Sequence, residues 1–242
     1  TKLLTYDEFR LQFASTMMDL ANYNFDLDRV NPVINFYRET YKQQILDTFE
    51  RFYANSLSGR GGEQRFNDEY NTITDFYGRR KEQAESTMRR ALSLQSTHRL
   101  TVNSPENEGY VKLNTLNLDD VGSTWTGEYH SDYDLTLTAV PKPGCSFSHW
   151  EITGGTITEG TAQSASVSVK MDGDTTVTAV YSETELLVGD YDGNGTVNVL
   201  DAVLLQKWLV GEKVTLVQTD VRADGVTDIF DLAELKQILL KK

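Results

Sequence analysis

Apolar side chains recur at three- and four-residue spacing through the N-terminal part of the chain, which predicts helices with one buried face each. Thr5 and Glu8 form a capping-box signature before the first stripe, and Asn31 followed by Pro32 is typical of a second helix start. The sequence SGRGG (58–62) separates the second helix from a third. Three stripes with short connections predict an antiparallel helical bundle. The stripes contain Phe9, Phe13, Met17 and Leu20; then Ile34, Tyr37, Tyr41, Ile45, Phe49 and Phe52; then Phe66, Tyr70, Ile73, Tyr77, Ala84, Met88 and Leu92.

Beyond the helices the apolar period changes to two, which is the period of strands that bury one face. Asp172 and Gly173 predict a type I′ hairpin between two of these runs, and PKPG (141–144) predicts another turn. We expect Trp125 and Trp150 in the core of a small, mostly antiparallel sheet domain. The three clearest runs place on one face Leu135, Leu137 and Ala139; Val167, Val169 and Met171; and Val177, Ala179 and Tyr181.

Near the C-terminus, GDYDGNGTVNVLDAVLLQKWLVG (189–211) spaces oxygen-bearing residues through a loop that ends in a helical pattern. Calcium prefers six to eight oxygen ligands, and a twelve-residue loop with glycine at position six supplies them from alternate positions. Gly195 stands at that position. The predicted ligands are Asp190, Asp192, Asn194, the backbone carbonyl of Thr196, Asn198 and Asp201. The alternative is a metal-free acidic loop in which Asp201 favours the start of the helix.

A second copy follows thirty residues later, in TDVRADGVTDIFDLAELKQILL. Leu205 and Leu209 correspond to Leu235 and Leu239, so the apolar helix face repeats with the loop. Arg222 stands at position three, where the first copy has a ligand. The second loop therefore either binds calcium with partial compensation by the carboxylate at position nine, or stays metal-free and is cross-linked by Arg222. Its predicted ligands are Asp220, Asp224, the carbonyl of Val226, Asp228 and Asp231.

A formal net charge of −13 and a pI near 4.7 argue against nucleic acid or an anionic membrane as the main partner, because both would be repelled. The same acidity suits a protein that binds divalent cations. Cys145 is the only cysteine, and His98, His130 and His149 share no metal-ligand spacing. No catalytic grouping emerges, and we expect no enzyme in this chain. TKLLTYDEFR lacks the features of a secretory signal, so Thr1 is expected to lie within a longer protein.

The paired loops, each followed but not preceded by a helix, resemble type I dockerin modules, which are built from two such F-hand halves. The resemblance covers residues 189–242. It implies binding to a cohesin module, and hence attachment of a secreted protein to the scaffoldin of a cellulosome, the polysaccharide-degrading assembly of anaerobic bacteria. In the family, loop positions ten and eleven and the middle of the following helix contact the cohesin. These positions carry Val199, Leu200, Gln206 and Lys207 in the first half and Ile229, Phe230, Lys236 and Gln237 in the second.

Many dockerins carry Ser or Thr at positions ten and eleven, whereas this chain has apolar residues at all four places. The resemblance therefore implies a more hydrophobic cohesin face. The alternative is that Leu200 and Phe230 only pack the two halves together. Near-symmetry of the halves is compatible with two binding orientations related by a half turn. Arg222 and the mismatch of Trp208 with Ile238 argue against equal use of both.

Two further resemblances concern the rest of the chain. LTLTAVPKPGCSFSHW and ASVSVKMDGDTTVTAVY resemble the divergent internalin-type B-repeat of bacterial surface proteins, which implies a β spacer or the X module that often precedes a dockerin. YDEFRLQFASTMMDLANYNFDLDRV and YNTITDFYGRRKEQAESTMRRAL resemble the C-terminal helices of the CotH kinase-like family. No Gly-rich phosphate loop accompanies them, so this part is expected to be a scaffold remnant without kinase activity; other all-helical ancestry stays open.

Together these patterns predict a multidomain α+β protein. Residues 1–97 form the helical region, 98–183 the β-rich domain and 187–242 the dockerin with two calcium loops, and SETELLVG (182–189) leads into the last. The predicted function is calcium-dependent cohesin binding outside the cell. The alternatives are a calcium-stiffened structural or adhesive segment of a surface protein and a non-catalytic remnant of an atypical kinase.

Overall fold

The computed structural model describes residues 2–53, 61–183, 187–217 and 220–241. The chain divides into two compact units. One comprises residues 1–99, 114–116 and 126–133, and the other comprises residues 100–113, 117–125 and 134–242. Residues 58–60 of the predicted SGRGG break and residues 184–186 of the predicted linker lie outside the described residues.

The N-terminal region is helical, as predicted. A short 3₁₀ turn, Lys2–Thr5, precedes α1 (Asp7–Asp19), and a π-helical turn, Leu20–Asn24, leads to α2 (Leu27–Tyr53) and α3 (Gly62–Leu92). Along α3 the buried apolar residues are Phe66, Ala84, Met88 and Leu92, all members of the predicted stripe. The periodicity correctly predicted a helix at α2. Large parts of its apolar stripe are exposed, however, so the stripe is not a fully buried face.

Both predicted helix starts are wrong. The Thr5 hydroxyl donates to a backbone carbonyl three residues earlier, at 2.7 Å, and makes no cap for α1. α2 begins at Leu27 because Asp26 Oδ1 accepts the Asp28 N–H at 2.9 Å and so satisfies a donor of the first turn. Pro32 consequently lies inside α2 instead of in its first turn.

α1 also buries a different face from the predicted one. Ala14 and Met18 are buried, as is Ala21 in the turn that follows. Phe9 and Phe13 of the predicted stripe are exposed, and their rings stack with centroids 6.3 Å apart.

Polar contacts explain why this face is the buried one. Asp19 is fully buried, and its carboxylate accepts hydrogen bonds from the Thr115 N–H (3.1 Å), the Thr115 hydroxyl (2.6 Å) and the Tyr129 hydroxyl (2.8 Å). Asn22 donates to the Glu128 carbonyl at 2.7 Å and accepts the Glu128 N–H at 3.0 Å. A buried carboxylate is tolerated only when hydrogen bonds replace its hydration, and these bonds provide the replacement.

The central part of the chain forms a curled sheet. Its strands are β1 (Thr97–Asn103), β2 (Gly109–Leu113), β3 (Leu116–Asn117), β4 (Thr124–His130), β5 (Leu135–Pro141), β6 (Cys145–Glu159) and β7 (Ser166–Glu183). The strand order is β3-β2-β5-β7-β1-β4, and β6 also pairs with β7. The pairs β2–β5, β5–β7 and β6–β7 are antiparallel, whereas β1–β7 is parallel. Three register shifts along β6–β7 bend the two long strands.

The predicted strand faces are confirmed, and one predicted turn is wrong. All nine residues of the three alternating runs are buried, as are Trp125 and Trp150, and the turn at residues 142–144 is present. Asp172 and Gly173, however, continue β7 without a hairpin. The alternation keeps its phase through them, with Thr175 buried between the two runs, so one strand serves both runs.

The C-terminal region consists of two loop–helix halves, with α4 at Val199–Leu209 and α5 at Ile229–Leu240. Leu205 and Leu235 are fully buried, and Leu209 and Leu239 pack against the same cluster, which confirms the predicted repeat of the apolar face. Tyr191, Val197, Ala202 and Leu232 complete the buried set. None of the helices within the described ranges is long and apolar enough to cross a membrane.

Candidate functional site

The loop before α4 concentrates carboxylates. Asp190, Asp192 and Asp201 each offer an oxygen, and these oxygens lie within 4.8 Å of one another. Asp190 and Asp201 are fully buried. Gly195, at position six, has φ of +81°, a left-handed conformation that favours glycine. The bend predicted from the sequence therefore brings positions one, three and twelve together.

Backbone N–H groups hold these carboxylates in place. Asp201 Oδ1 accepts the Tyr191 and Asp192 N–H groups at 2.8 and 3.2 Å, and its Oδ2 accepts the Asn198 N–H at 2.7 Å. Asp190 Oδ2 accepts the Gly195 N–H at 2.7 Å. The last residue of the loop is thus tied to its beginning, and the loop closes around its acidic side chains.

The loop before α5 repeats this network thirty residues later. Asp231 Oδ1 accepts the Val221 and Arg222 N–H groups at 3.0 and 3.1 Å, and its Oδ2 accepts the Asp228 N–H at 2.8 Å. Asp220 Oδ2 accepts the Gly225 N–H at 2.6 Å, and Gly225 has φ of +85°. The duplication inferred from the sequence is therefore a duplication of backbone geometry as well.

The two loops differ at position three. Asp192 Oδ1 accepts the Asn194 N–H at 3.1 Å in the first loop. In the second, Arg222 Nη1 lies 3.0 Å from Asp224 Oδ2 and its guanidinium carbon lies 5.3 Å from the centroid of the Phe230 ring. Among the described residues only the first loop brings three carboxylate side chains within 4.8 Å of one another.

The electrostatics of the loops follow from this arrangement. Burial raises the pKa of Asp192 above its usual value, and the neighbouring Asp201 and Asp190 carboxylates raise it further. A hydrogen bond from the Gly225 N–H lowers the pKa of Asp220, with help from adjacent backbone N–H groups. Three clustered carboxylates in the first loop repel one another, and a divalent cation would relieve that repulsion.

Tyr191, at position two of the first loop, was not predicted as a site residue. It is fully buried, and its hydroxyl has no hydrogen-bond partner among the described residues. Burial raises the pKa of Tyr191, and the Asp231 and Asp220 carboxylates of the other loop raise it further. The aromatic side chain therefore lies near the acidic groups of the second loop, a relation that spacing along the sequence does not reveal.

Both helices start with capping interactions. Asn198 Oδ1 accepts the Leu200 N–H at 2.8 Å, and Asp228 Oδ1 accepts the Phe230 N–H at 2.7 Å. The alternative reading of the first loop, as an acidic cap for a helix, describes a real feature of the structure. Capping in each loop uses the side chain at position nine and one carboxylate oxygen of the aspartate at position twelve. It does not involve Asp190 or Asp192, so it does not account for the whole carboxylate cluster.

The residues predicted to contact a partner lie on the surface. Val199 is 67% exposed and Leu200 64%, and the matching Ile229 and Phe230 are both 59% exposed. Such exposure is inconsistent with the alternative that Leu200 and Phe230 only pack the two halves together. Also exposed are Gln206, Lys207, Lys236 and Gln237. Lys207 Nζ lies 3.5 Å from Glu212 Oε2.

The residues of the first loop fit a calcium ion. The donor set consists of carboxylate, amide and carbonyl oxygens, the hard ligands that calcium prefers, and its three carboxylates lie close together. Asn194, Thr196 and Asn198 complete the predicted set, although Asn198 Oδ1 also caps α4. In the second loop the backbone hydrogen bonds to Asp220 and Asp231 are present, but position three carries the cation Arg222 in place of a ligand.

Comparison with known protein families identifies two domains. Residues 188–240 match the dockerin type I domain, and residues 115–185 match the divergent InlB B-repeat domain. The chain thus carries a type I dockerin domain preceded by a B-repeat domain, as the sequence resemblance predicted. These two matches do not extend to the N-terminal helices, so their resemblance to CotH kinase-like proteins stays a prediction. The search of curated proteins gave no significant match, nor did the search of solved structures.

Of the two matched domain types, the dockerin has known binding properties, and neither is catalytic. Type I dockerin domains in general bind calcium and cohesin modules, and proteins that contain them are typically extracellular or associated with the cell surface. Dockerin and B-repeat domains are non-catalytic modules.

Proposed function

We propose that the C-terminal domain is a calcium-dependent cohesin-binding module that anchors a secreted protein to a cellulosome scaffoldin. The observation that carries this proposal is the presence of two exposed apolar pairs at matching places. Val199 and Leu200 follow the first acidic loop directly, and Ile229 and Phe230 follow the second. Paired apolar side chains on the surface of so small a domain fit the centre of a protein interface.

Calcium bound in the loops would fix the orientation of these exposed apolar pairs. We infer two calcium sites. The first uses Asp190, Asp192, Asn194, the Thr196 carbonyl, Asn198 and Asp201, and the second uses Asp220, Asp224, the Val226 carbonyl, Asp228 and Asp231. The exposed pairs stand at loop positions ten and eleven, between predicted ligands at nine and twelve. A cation that fixes both flanking residues would fix the direction of the apolar side chains as well.

The long polar side chains in the middle of each helix would form the rim of the interface. Gln206 and Lys207 on α4 and Lys236 and Gln237 on α5 are exposed on the helices that carry the apolar pairs. The order of amide and ammonium groups is reversed between the two halves. Together with Arg222 and the Trp208–Ile238 mismatch, this reversal favours one of the two half-turn-related orientations over the other.

We further propose that residues 98–183 act as a spacer of the X-module type, and that residues 1–97 are a non-catalytic helical region. Contact within the second unit supports the spacer role. Gly193 of the first loop lies against the turn after β5, so close that an added Cβ would be 2.6 Å from the Gly144 nitrogen. The acidic loop is thus braced by the sheet as well as by its own hydrogen bonds.

Capture by a panel of immobilised cohesins, in calcium and in chelator, tests the proposal. We expect capture in calcium, loss of capture in chelator, and loss in calcium when Leu200 and Phe230 are both changed to Asp. Buried apolar anchors are typically worth at least ~2 kcal/mol each, so the double variant should bind more than about a thousandfold more weakly. Phe36→Asp, at a residue 62% exposed on α2, is the control and should bind like the wild type.

Two results would contradict the proposal. One is equal capture of the Leu200→Asp, Phe230→Asp variant while its circular dichroism still responds to calcium, because the contact surface would then lie elsewhere. The other is the absence of calcium-dependent capture across the whole panel. That outcome favours the alternative, a calcium-stiffened structural segment.

A further inference from the structure

Position three of the second loop carries a positive charge where the first loop has a carboxylate. Arg222 Nη1 lies 3.0 Å from Asp224 Oδ2, so the predicted ligand at position five is already paired with a cation. Asn194, its counterpart in the first loop, instead donates from Nδ2 to Asp192 Oδ2 at 2.9 Å. Position three thus offers a predicted ligand, Asp192, in the first loop and a competing cation, Arg222, in the second.

The formal charges of the two loops do not explain a difference in calcium affinity. The first loop has Asp190, Asp192 and Asp201, for a charge of −3. The second has four aspartates and one arginine, which also gives −3. Long-range attraction of a cation is therefore similar, so any difference between the loops must be local. Position three of the second loop offers no oxygen ligand, and Arg222 must leave Asp224 before the Asp224 carboxylate can bind a metal.

Arg222 also contacts the proposed docking surface, which is formed by the apolar pairs Val199–Leu200 and Ile229–Phe230. Its guanidinium carbon lies 5.3 Å from the centroid of the Phe230 ring, within the range of a cation–π contact. Phe230 is the exposed aromatic residue at position eleven. A single side chain therefore bridges the acidic loop and the second apolar pair.

We propose that Arg222 is an internal cation of the second loop: it keeps this loop and Phe230 ordered without metal, and it makes the second loop the weaker calcium site. The calcium part of this inference rests on the proposed function, whereas the ordering of the second half by Arg222 does not. The dockerin domain would then respond to calcium mainly through its first loop, with the second half ordered beforehand.

A calcium titration of the full chain, followed by NMR of two backbone amides, tests the affinity difference. The Gly195 and Gly225 N–H groups donate to Asp190 and Asp220 at 2.7 and 2.6 Å, so each amide reports on its own loop. We expect the Gly225 signal to respond at calcium concentrations at least about tenfold higher than the Gly195 signal, because Arg222 must first leave Asp224 and position three offers no oxygen ligand.

Two variants separate the charge from the ligand. Arg222→Asp restores the carboxylate of position three and should lower the Gly225 midpoint by at least about tenfold, leaving the Gly195 midpoint unchanged. Arg222→Met removes the cation without adding an oxygen and should lower it less than Arg222→Asp does. Equal midpoints for the two loops in the wild type would overturn the affinity claim, and so would a Gly225 midpoint that Arg222→Asp leaves in place.

Amide hydrogen exchange in chelator tests the ordering claim independently of calcium. In the wild type the Phe230 and Val226 amides should exchange slowly without metal, and both should exchange at least about tenfold faster in Arg222→Met because the ion pair and the ring contact are lost. Equal exchange in the two proteins would refute the role of Arg222 in ordering. If neither glycine amide responds to calcium, the proposed calcium sites fail, while the exchange comparison still decides whether Arg222 orders the second half.

Discussion

Replacing Asp201 by Asn tests whether the first loop is held by its hydrogen-bond frame as the structure indicates. Asp201 is fully buried, and its two carboxylate oxygens together accept three backbone N–H groups, from Tyr191, Asp192 and Asn198. Asn has one carbonyl oxygen and one amide group. If that oxygen keeps the Tyr191 and Asp192 bonds, the amide faces the Asn198 N–H, so one charge-assisted bond is lost and two donors oppose each other.

The magnitude follows from the cost of leaving a buried donor unpaired, about 1–3 kcal/mol, to which the loss of a charged acceptor adds. We therefore expect Asp201→Asn to lower the free energy of opening of the first half by about 2 to 3 kcal/mol in chelator. Because 1.4 kcal/mol corresponds to a factor of ten, α4 amides should exchange roughly 30 to 150 times faster than in the wild type.

Hydrogen exchange of the full chain, followed by mass spectrometry of peptides from residues 187–217, measures this change in place. Asp231→Asn is the matched variant, because Asp231 accepts the corresponding three N–H groups of the second loop. It should accelerate exchange along α5 to a similar degree. An Asp201→Asn protein whose α4 exchange in chelator stays within about twofold of the wild type would refute the reasoning, since the three bonds would then contribute little.

Three further substitutions test individual features of the fold. Gly154→Ala should destabilise the sheet by about 2–5 kcal/mol, because Gly154 has φ of +76° and an added Cβ would lie 2.0 Å from the Asp174 carbonyl oxygen. Thermal unfolding should reveal this loss of stability. Gly173→Ala is the control and should be near neutral, because the space around Gly173 is open. Ala223→Gly should stabilise the second half by about 0.5–1 kcal/mol, because Ala223 has φ of +55°, a left-handed conformation that strains alanine. Slower hydrogen exchange along α5 would show this gain in stability, and unchanged exchange would mean that the conformation is unstrained. Tyr191→Phe should be neutral or stabilising by up to about 1 kcal/mol in the same measurement, since the buried hydroxyl has no hydrogen-bond partner among the described residues. A loss of stability above ~1 kcal/mol would mean that the hydroxyl does have a partner.

Local patterns were sufficient for the duplicated loops. Positions one, six and twelve were predicted from residue type and spacing alone, and the structure repeats the corresponding hydrogen bonds at Asp190, Asp201, Asp220 and Asp231. Each bond lies within twelve residues of chain, so the sequence contains both partners in one window. The strand faces were predictable for the same reason, because alternation directly reports which side chains share a side of a strand.

Long-range contacts were not predictable from these patterns. The periodicity of α1 offers two faces, and the choice of the Ala14 and Met18 face depends on Asp19 and Asn22 meeting partners about a hundred residues away. Similarly, the Asp172-Gly173 signal is a local preference for a turn. Pairing of β7 with β6 along both of its halves outweighs it, because a continuous strand gains many cross-strand bonds at once.

The contact between Arg222 and Phe230 was also not predictable from the sequence. The sequence indicated that Arg222 interrupts the ligand pattern, and it placed Phe230 on the expected docking surface. Their proximity depends on the way the loop folds back onto the first turn of α5. Residue spacing alone gives no distance across such a loop, so the contact between the predicted second calcium loop and the predicted partner-binding residue Phe230 is visible only in the structure.

The most direct test of the central claim, that calcium orders the first acidic loop and with it the docking surface, is amide exchange across residues 187–217 with and without calcium. We expect the Tyr191, Asn194, Gly195 and Leu200 amides to exchange at least about tenfold more slowly when calcium is present, because the ion would hold the carboxylates that accept or flank these groups. Identical exchange in calcium and in chelator would contradict the claim, since the loop would then be equally ordered with and without the metal.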